Sequence, residues 1–252
     1  MMPRPRFHLA VALGLTLAAQ SASASVLRVS EAAFTAAAGL ITFSELPVGT
    51  VNPTFPPASY GGGVGAPTVT FGGYFLGQSP GSSDPGACPP GAGISGCVLG
   101  LPSGPLALDP SSPATSIVEL IANPISPMLS GTPTLDGAIA ILFSTPQFGV
   151  GLLGGFFNAI GGTAITAFDA NGMVIGSIEN EALGVEFLGL VSTGANIAGV
   201  LFSLVGPESG GISIDNLRFG VEGQVVVPEP ATAALLGLGL LGLAAFRRRQ
   251  PA

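Results

Sequence analysis

Apolar runs in this chain are short, and glycine or proline interrupts nearly all of those between residues 25 and 227; the whole sequence holds 39 glycines and 23 prolines. Such punctuation leaves little room for long helices and favours many strands joined by turn-rich connections, as in a sandwich or barrel. Strands are expected at 40–43, 69–71, 116–121, 137–143, 148–157, 163–169, 174–179, 187–192, 197–204 and 212–219. Two of them, 163–168 and 212–217, carry large apolar residues at every second position, the pattern of a strand with one buried face. Asp169-Ala170-Asn171-Gly172 marks a hairpin, and Gly210-Gly211 another turn. Ser30 is placed to cap one short helix over 31–38, ended by Gly39. Proline- and glycine-rich excursions are expected at 46–65 and 77–113. No fixed repeat period is present, which argues against a solenoid or propeller.

Both ends read differently. Arg4 and Arg6, an apolar run over 7–19 and Ala22-Ser23-Ala24 compose a signal peptide, with cleavage after Ala24 by signal peptidase and export through the general machinery. At the other end Pro228-Glu229-Pro230 precedes an uncharged apolar stretch over 231–246 and then Arg247-Arg248-Arg249. Flanking prolines disfavour helix at Glu229 and leave an extended, protease-accessible segment. As a helix the apolar stretch would span about 24 Å against a ~30 Å hydrocarbon core, so a transmembrane helix with snorkelling arginines is expected. The arginines would stay cytoplasmic, placing everything before Pro228 outside. Motif, apolar stretch and arginine cluster in this order resemble the PEP-CTERM sorting tail of exopolysaccharide-making Gram-negative bacteria. The resemblance implies recognition by the membrane enzyme exosortase, passage through the inner membrane, and final residence at the cell surface or in the extracellular matrix. The expected organisation is a signal peptide over 1–24, one extracellular domain over 25–224 and a sorting tail over 225–252.

Five of the seven basic residues lie in the two end segments; residues 25–230 keep only Arg28 and Arg218 against all fourteen acids, a formal charge of −12. A surface of that sign repels nucleic acid and attracts cations. The single histidine, His8, falls in the signal peptide, and lysine and tryptophan are absent. Serine–histidine and cysteine–histidine nucleophiles, histidine–zinc sites and lysine Schiff bases are therefore excluded. Carboxylate pairs remain, but none stands out, and a non-catalytic protein is expected. Cys88 and Cys97 flank a Gly/Pro-rich stretch and read as a disulfide in an oxidising compartment.

The segments Glu31-Ala32-Ala33-Phe34, 41–47, 167–172, 187–190 and 212–217 are together similar to an extracellular domain common in PEP-CTERM cargo, itself like the jelly rolls of carbohydrate-binding modules. The expected fold is thus an all-β, antiparallel jelly-roll-like sandwich with one short N-terminal helix. In many such modules a structural calcium ties the first and last strands, and Glu45 with Asp215 are the candidate ligands; the alternative leaves Asp215 bonded to turn amides and Glu45 exposed. Tyr60 and Tyr74 are the candidate sugar platforms, with Asn52, Gln78 and Asp84 near them in sequence; the alternative has both tyrosines capping the sandwich edge. Glu179, Glu181 and Glu186 read as a solvated acidic loop. The function expected is a structural or binding component of the cell surface or exopolysaccharide matrix, with extracellular polysaccharide as a partner. The alternatives are a secreted carboxylate hydrolase and a calcium-stapled adhesion module.

Overall fold

The computed structural model describes residues 25–120, 127–193, 197–210 and 212–227. Its strands are β1 (Val26–Val29), β2 (Gly39–Ile41), β3 (Thr54–Phe55), β4 (Val69–Gly72), β5 (Ser79–Pro80), β6 (Val98–Leu99), β7 (Ser116–Val118) and β8 (Met128–Ser130). The longer ones follow: β9 (Ile139–Gln147), β10 (Gly149–Phe157), β11 (Thr163–Phe168), β12 (Val174–Glu179), β13 (Gly184–Ser192), β14 (Ile197–Leu204) and β15 (Ser213–Gly220). One sheet runs β1-β13-β10-β15-β8-β7 with β2 also on β15; the other runs β12-β11-β14-β9-β4-β3. All ladders between named strands are antiparallel, and the two sheets pack as a sandwich consistent with a jelly-roll-like domain.

Between β9 and β15 the chain changes sheet at each connection except the β11–β12 hairpin. That hairpin forms as its turn residues dictate. Asp169 Oδ1 accepts the N–H groups of Asn171 (2.8 Å) and Met173 (2.9 Å), and Gly172 takes φ 78°.

Three apolar clusters explain which faces are buried. The main one fills the space between the sheets and includes Phe43, Phe55, Phe71, Phe143, Phe202 and Phe219. A second cluster, with Phe34, Val191 and Val225, packs the N-terminal turn and the C-terminal end of the domain against the first sheet. A third, with Phe75, Phe168, Leu201 and the flanking Leu106 and Leu108, lies over the second sheet. The alternation in β11 therefore does not mark a solvated face: Ile165 and Ala167 point into the main core, while Phe168 is covered by the 75–108 excursion. That excursion also carries the Cys88–Cys97 disulfide (Cα–Cα 6.1 Å) and the short β5–β6 ladder.

Two helical expectations need correction. Residues 31–38 do not form a helix; one 3₁₀ turn covers Glu31–Ala33, and Ser30 makes no side-chain capping bond. Tertiary pairing overrides the local signal: Phe34 is extended (φ −85°, ψ 115°) and bridges Val225, and the Ala33 carbonyl accepts the Val226 N–H. The transmembrane helix over 231–246 is also withdrawn. Those residues lie outside the described ones, as does the signal peptide. Among the described residues no helix is long and apolar enough to cross a membrane. The helical segments there are Glu31–Ala33 and Pro57–Tyr60, single 3₁₀ turns at about 2 Å rise per residue against the ~30 Å required. Transient inner-membrane anchoring through such a helix is withdrawn with it.

Candidate ligand cleft and carboxylate pair

Tyr60 ends the 3₁₀ turn Pro57–Tyr60, where Gly61 in the left-handed region reverses the chain into a glycine-rich loop. Its ring meets Phe219 edge-on (5.2 Å between centroids, 80°), and its hydroxyl donates to the Pro67 carbonyl. Burial pushes the phenol up to about 12. Beside it lies a cleft of about 410 Å³, walled by residues 36–40, by the loop 60–67, and by Gln147, Phe219 and Gln224. Loop and ring fit closely, since a Cβ at Gly62 would lie 2.6 Å from the Tyr60 ring. Among the described residues no charged side chain lines this cleft, although the domain as a whole is strongly acidic. The volume is within the usual range of ligand clefts, about 300–1,000 Å³.

The other members of the sequence-based sugar site are elsewhere. Tyr74 is buried (8% exposed) beside the disulfide region and lines a crevice of about 10 Å³. Asn52 accepts from the Thr115 N–H (2.8 Å), Gln78 from the Phe75 N–H (3.0 Å), and Asp84 is exposed on the excursion. Tyr60 alone of the named residues reaches the cleft.

Glu45 and Asp215 are brought together. On β15, Ile214 pairs with Leu129 of β8 and Leu217 pairs with Ile41 of β2; Asp215 lies where one partner gives way to the other, beside Asn216 at φ 46°. The chain leaving β2 brings in Glu45, whose Oε1 accepts from the N–H (2.9 Å) and hydroxyl (3.1 Å) of Thr42. Its Oε2 is buried without a hydrogen-bond partner. Burial pushes the Asp215 carboxyl up to about 6 from its ordinary 3.8; a bond from the Asn216 N–H opposes this, and repulsion by Glu45 adds to the rise. Asp215 bonds a backbone amide, as expected without a metal, whereas Glu45 is not simply exposed. An orphaned carboxylate oxygen beside a second, reluctant carboxylate suits a hard cation. Among the described residues no third His, Cys, Asp or Glu joins them, so further oxygens would come from carbonyls, hydroxyls or water.

The pH consequence has a definite sign. Because folding raises the Asp215 pKa, the native state holds the proton that the unfolded chain gives up, and stability falls as pH rises from about 4 to 6. After allowance for solvent screening, the loss attributable to this group is about 1–2 kcal/mol. Asp215→Asn is expected to flatten that part of the curve and to stabilise the metal-free domain above pH 6. Urea titrations across pH 3.5–7.5 check this, and an unchanged slope in the variant would refute it.

The acidic loop is more structured than the sequence suggested. Arg28 on β1 reaches Glu181 (3.3 Å), Glu186 (3.2 Å) and the Glu179 carbonyl, while Glu186 Oε2 accepts from Glu181 and Ala182 N–H groups (both 2.8 Å). Sequence reading also missed Glu208. Fully buried, it accepts from the N–H groups of Asn158 (2.6 Å) and Ala159 (3.0 Å) and from Asn158 Nδ2 (3.1 Å). Its own segment receives the disulfide loop, with Gly93 N–H bonded to the Glu208 carbonyl (2.8 Å). The signal lay only in long-range geometry: a glutamate in Pro207-Glu208-Ser209 reads locally as a turn residue.

A search of curated proteins found no match to the chain. Residues 226–249 match the PEP-CTERM protein-sorting motif; Pro228, Glu229 and Pro230 and the arginines 247–249 fall within the match, which begins where the described domain is about to end.

Proposed function

We propose that this chain is an exported, exosortase-sorted, non-catalytic component of the cell surface or exopolysaccharide matrix, and that its Tyr60 cleft holds a neutral saccharide. The observation behind the ligand is the cleft's lining among the described residues: glycine backbone, small apolar side chains, a tyrosine and two glutamines, with no charge. Such a surface offers apolar contact for a sugar face and amide groups for its hydroxyls, and has no cation to recruit an acidic polymer. Among the described residues no carboxylate lines the cleft, so they supply no acid pair of the kind a glycosidase would need. Calcium is proposed to bind between Glu45 and Asp215, staple the end of β2 to β15, and leave the cleft itself metal-free.

Co-sedimentation with a neutral and a uronic-acid polysaccharide, each with calcium and with chelator, tests the reading. Binding to the neutral polymer alone is expected. Ala37→Glu, which adds bulk and charge to an exposed part of the cleft wall, is expected to weaken it about tenfold with an unchanged melting temperature. Equal binding by the variant would remove the cleft from the proposal. Calcium is expected to raise the melting temperature of the native domain but not of Asp215→Asn; no rise in either would remove the ion.

A further inference from the structure

We infer that processing of the sorting motif requires the domain to release its own C-terminal clasp, residues 221–227. The inference rests on the reading that an exosortase processes the motif. The clasp is held by main chain on both sides: the Thr35 N–H donates to the Gln224 carbonyl (2.9 Å) and the Val226 N–H to the Ala33 carbonyl (2.8 Å), with Phe34 bridged to Val225. Val225, 3% exposed, packs with Phe34 and Val191 and lies close over the backbone of Gly149 and Gly220. Arg218 fixes the opposing turn through Glu31 (2.8 Å).

Sequence and geometry meet at one place. The motif match starts at Val226, itself bonded to the domain, and Pro228 follows after a single intervening residue. Enzymes that read an extended peptide take it by its main-chain groups on several consecutive residues. Here the Val226 N–H and the Gln224 carbonyl, two and four residues before Pro228, are already taken by the 31–35 turn. An enzyme seated on the motif therefore lacks extended chain on its N-terminal side while the clasp is shut.

The clasp is also the part of the domain built to open. Among the described residues two main-chain bonds, the buried Val225 and the partly buried Val227 hold it, whereas Gly220 and the strand before it are paired on β10. Weakly held terminal segments open locally without unfolding the rest. Processing then proceeds at a rate scaled by the open fraction, and the folded domain meters its own maturation.

The test follows the C-terminal mass of the full chain by pulse-chase in exosortase-bearing cells. Three chains are compared: native, Val225→Ser, and a chain with a Gly-Ser linker of about six residues inserted between Val227 and Pro228. Both altered chains are expected to mature about tenfold faster, the gain for an open fraction near one in ten. The insertion leaves every contact of residues 25–227 in place, so it decides the matter should Val225→Ser misfold. Equal rates for the native and inserted chains would overturn the clasp while leaving exosortase processing intact. No processing of any of the three would overturn the processing reading, and the clasp with it.

Discussion

Glu208→Ala is expected to destabilise the domain by about 4 kcal/mol, a large part of the 5–15 kcal/mol that holds a typical domain together. The carboxylate is fully buried and takes three N–H donors from residues 158 and 159. Truncation removes all three bonds at once and leaves two backbone amides without their acceptor, each costing about 1–3 kcal/mol. Glu208→Gln keeps one acceptor oxygen but turns an amide group toward donors, so about 2 kcal/mol is expected. Urea unfolding of residues 25–227 measures both. An alanine variant within 1 kcal/mol of native would show that the 158–162 turn does not depend on this group. The loss should also be felt at the disulfide loop, which bonds to the Glu208 carbonyl through Gly93; amide exchange at Gly93 and Ala159 is expected to accelerate together.

Phe55→Ala is the second large effect, again about 4 kcal/mol. β3 is only two residues long, and its ring packs edge-on to Phe43 and Phe71 (both 5.8 Å), which themselves meet at 5.6 Å. All three are almost wholly buried, so a truncated side chain leaves a cavity that a β-sheet core closes poorly. A double-mutant cycle with Phe71→Ala should show coupling of about 1 kcal/mol, the edge-to-face contribution beyond burial. Simple additivity would mean that the rings are neighbours without a specific contact. Phe55 also anchors the chain five residues before Tyr60. Loss of the ring should therefore weaken ligand binding at the cleft as well as stability, whereas Ala37→Glu should affect binding alone.

Sequence legibility followed the range of the interaction involved. Val174–Glu179 and Ile197–Leu204 have the bounds read from composition, because turn residues on either side define them locally. Val26–Val29, Thr54–Phe55 and Met128–Ser130 were not anticipated: they are two to four residues long and become strands only by pairing with distant partners. The helix over 31–38 failed for the same reason, since backbone groups that a helix would have used are bonded to residues 224 and 226 instead.

The candidate sites divide in the same way. Glu45 and Asp215 were picked out because each follows or lies in an apolar strand, and β2 and β15 do pair. Tyr60 and Tyr74 looked alike in their glycine-rich settings, yet one lines a cleft and the other is buried, because the 75–108 excursion folds down over the second sheet.

From the chain alone came the sorting motif, the all-β class, the hairpin at Gly172 and the chemistry that a domain without histidine or lysine lacks. All of these depend on residue identity and on neighbours a few positions away. Tertiary structure alone decided which loop covers which sheet face, that Glu208 is a buried staple, that the described lining of the cleft is uncharged, and that the domain grips its own tail at Val226. Each of those follows from burying leftover apolar surface and pairing leftover backbone groups across long stretches of sequence, and neither partner in such a contact carries a mark of the other.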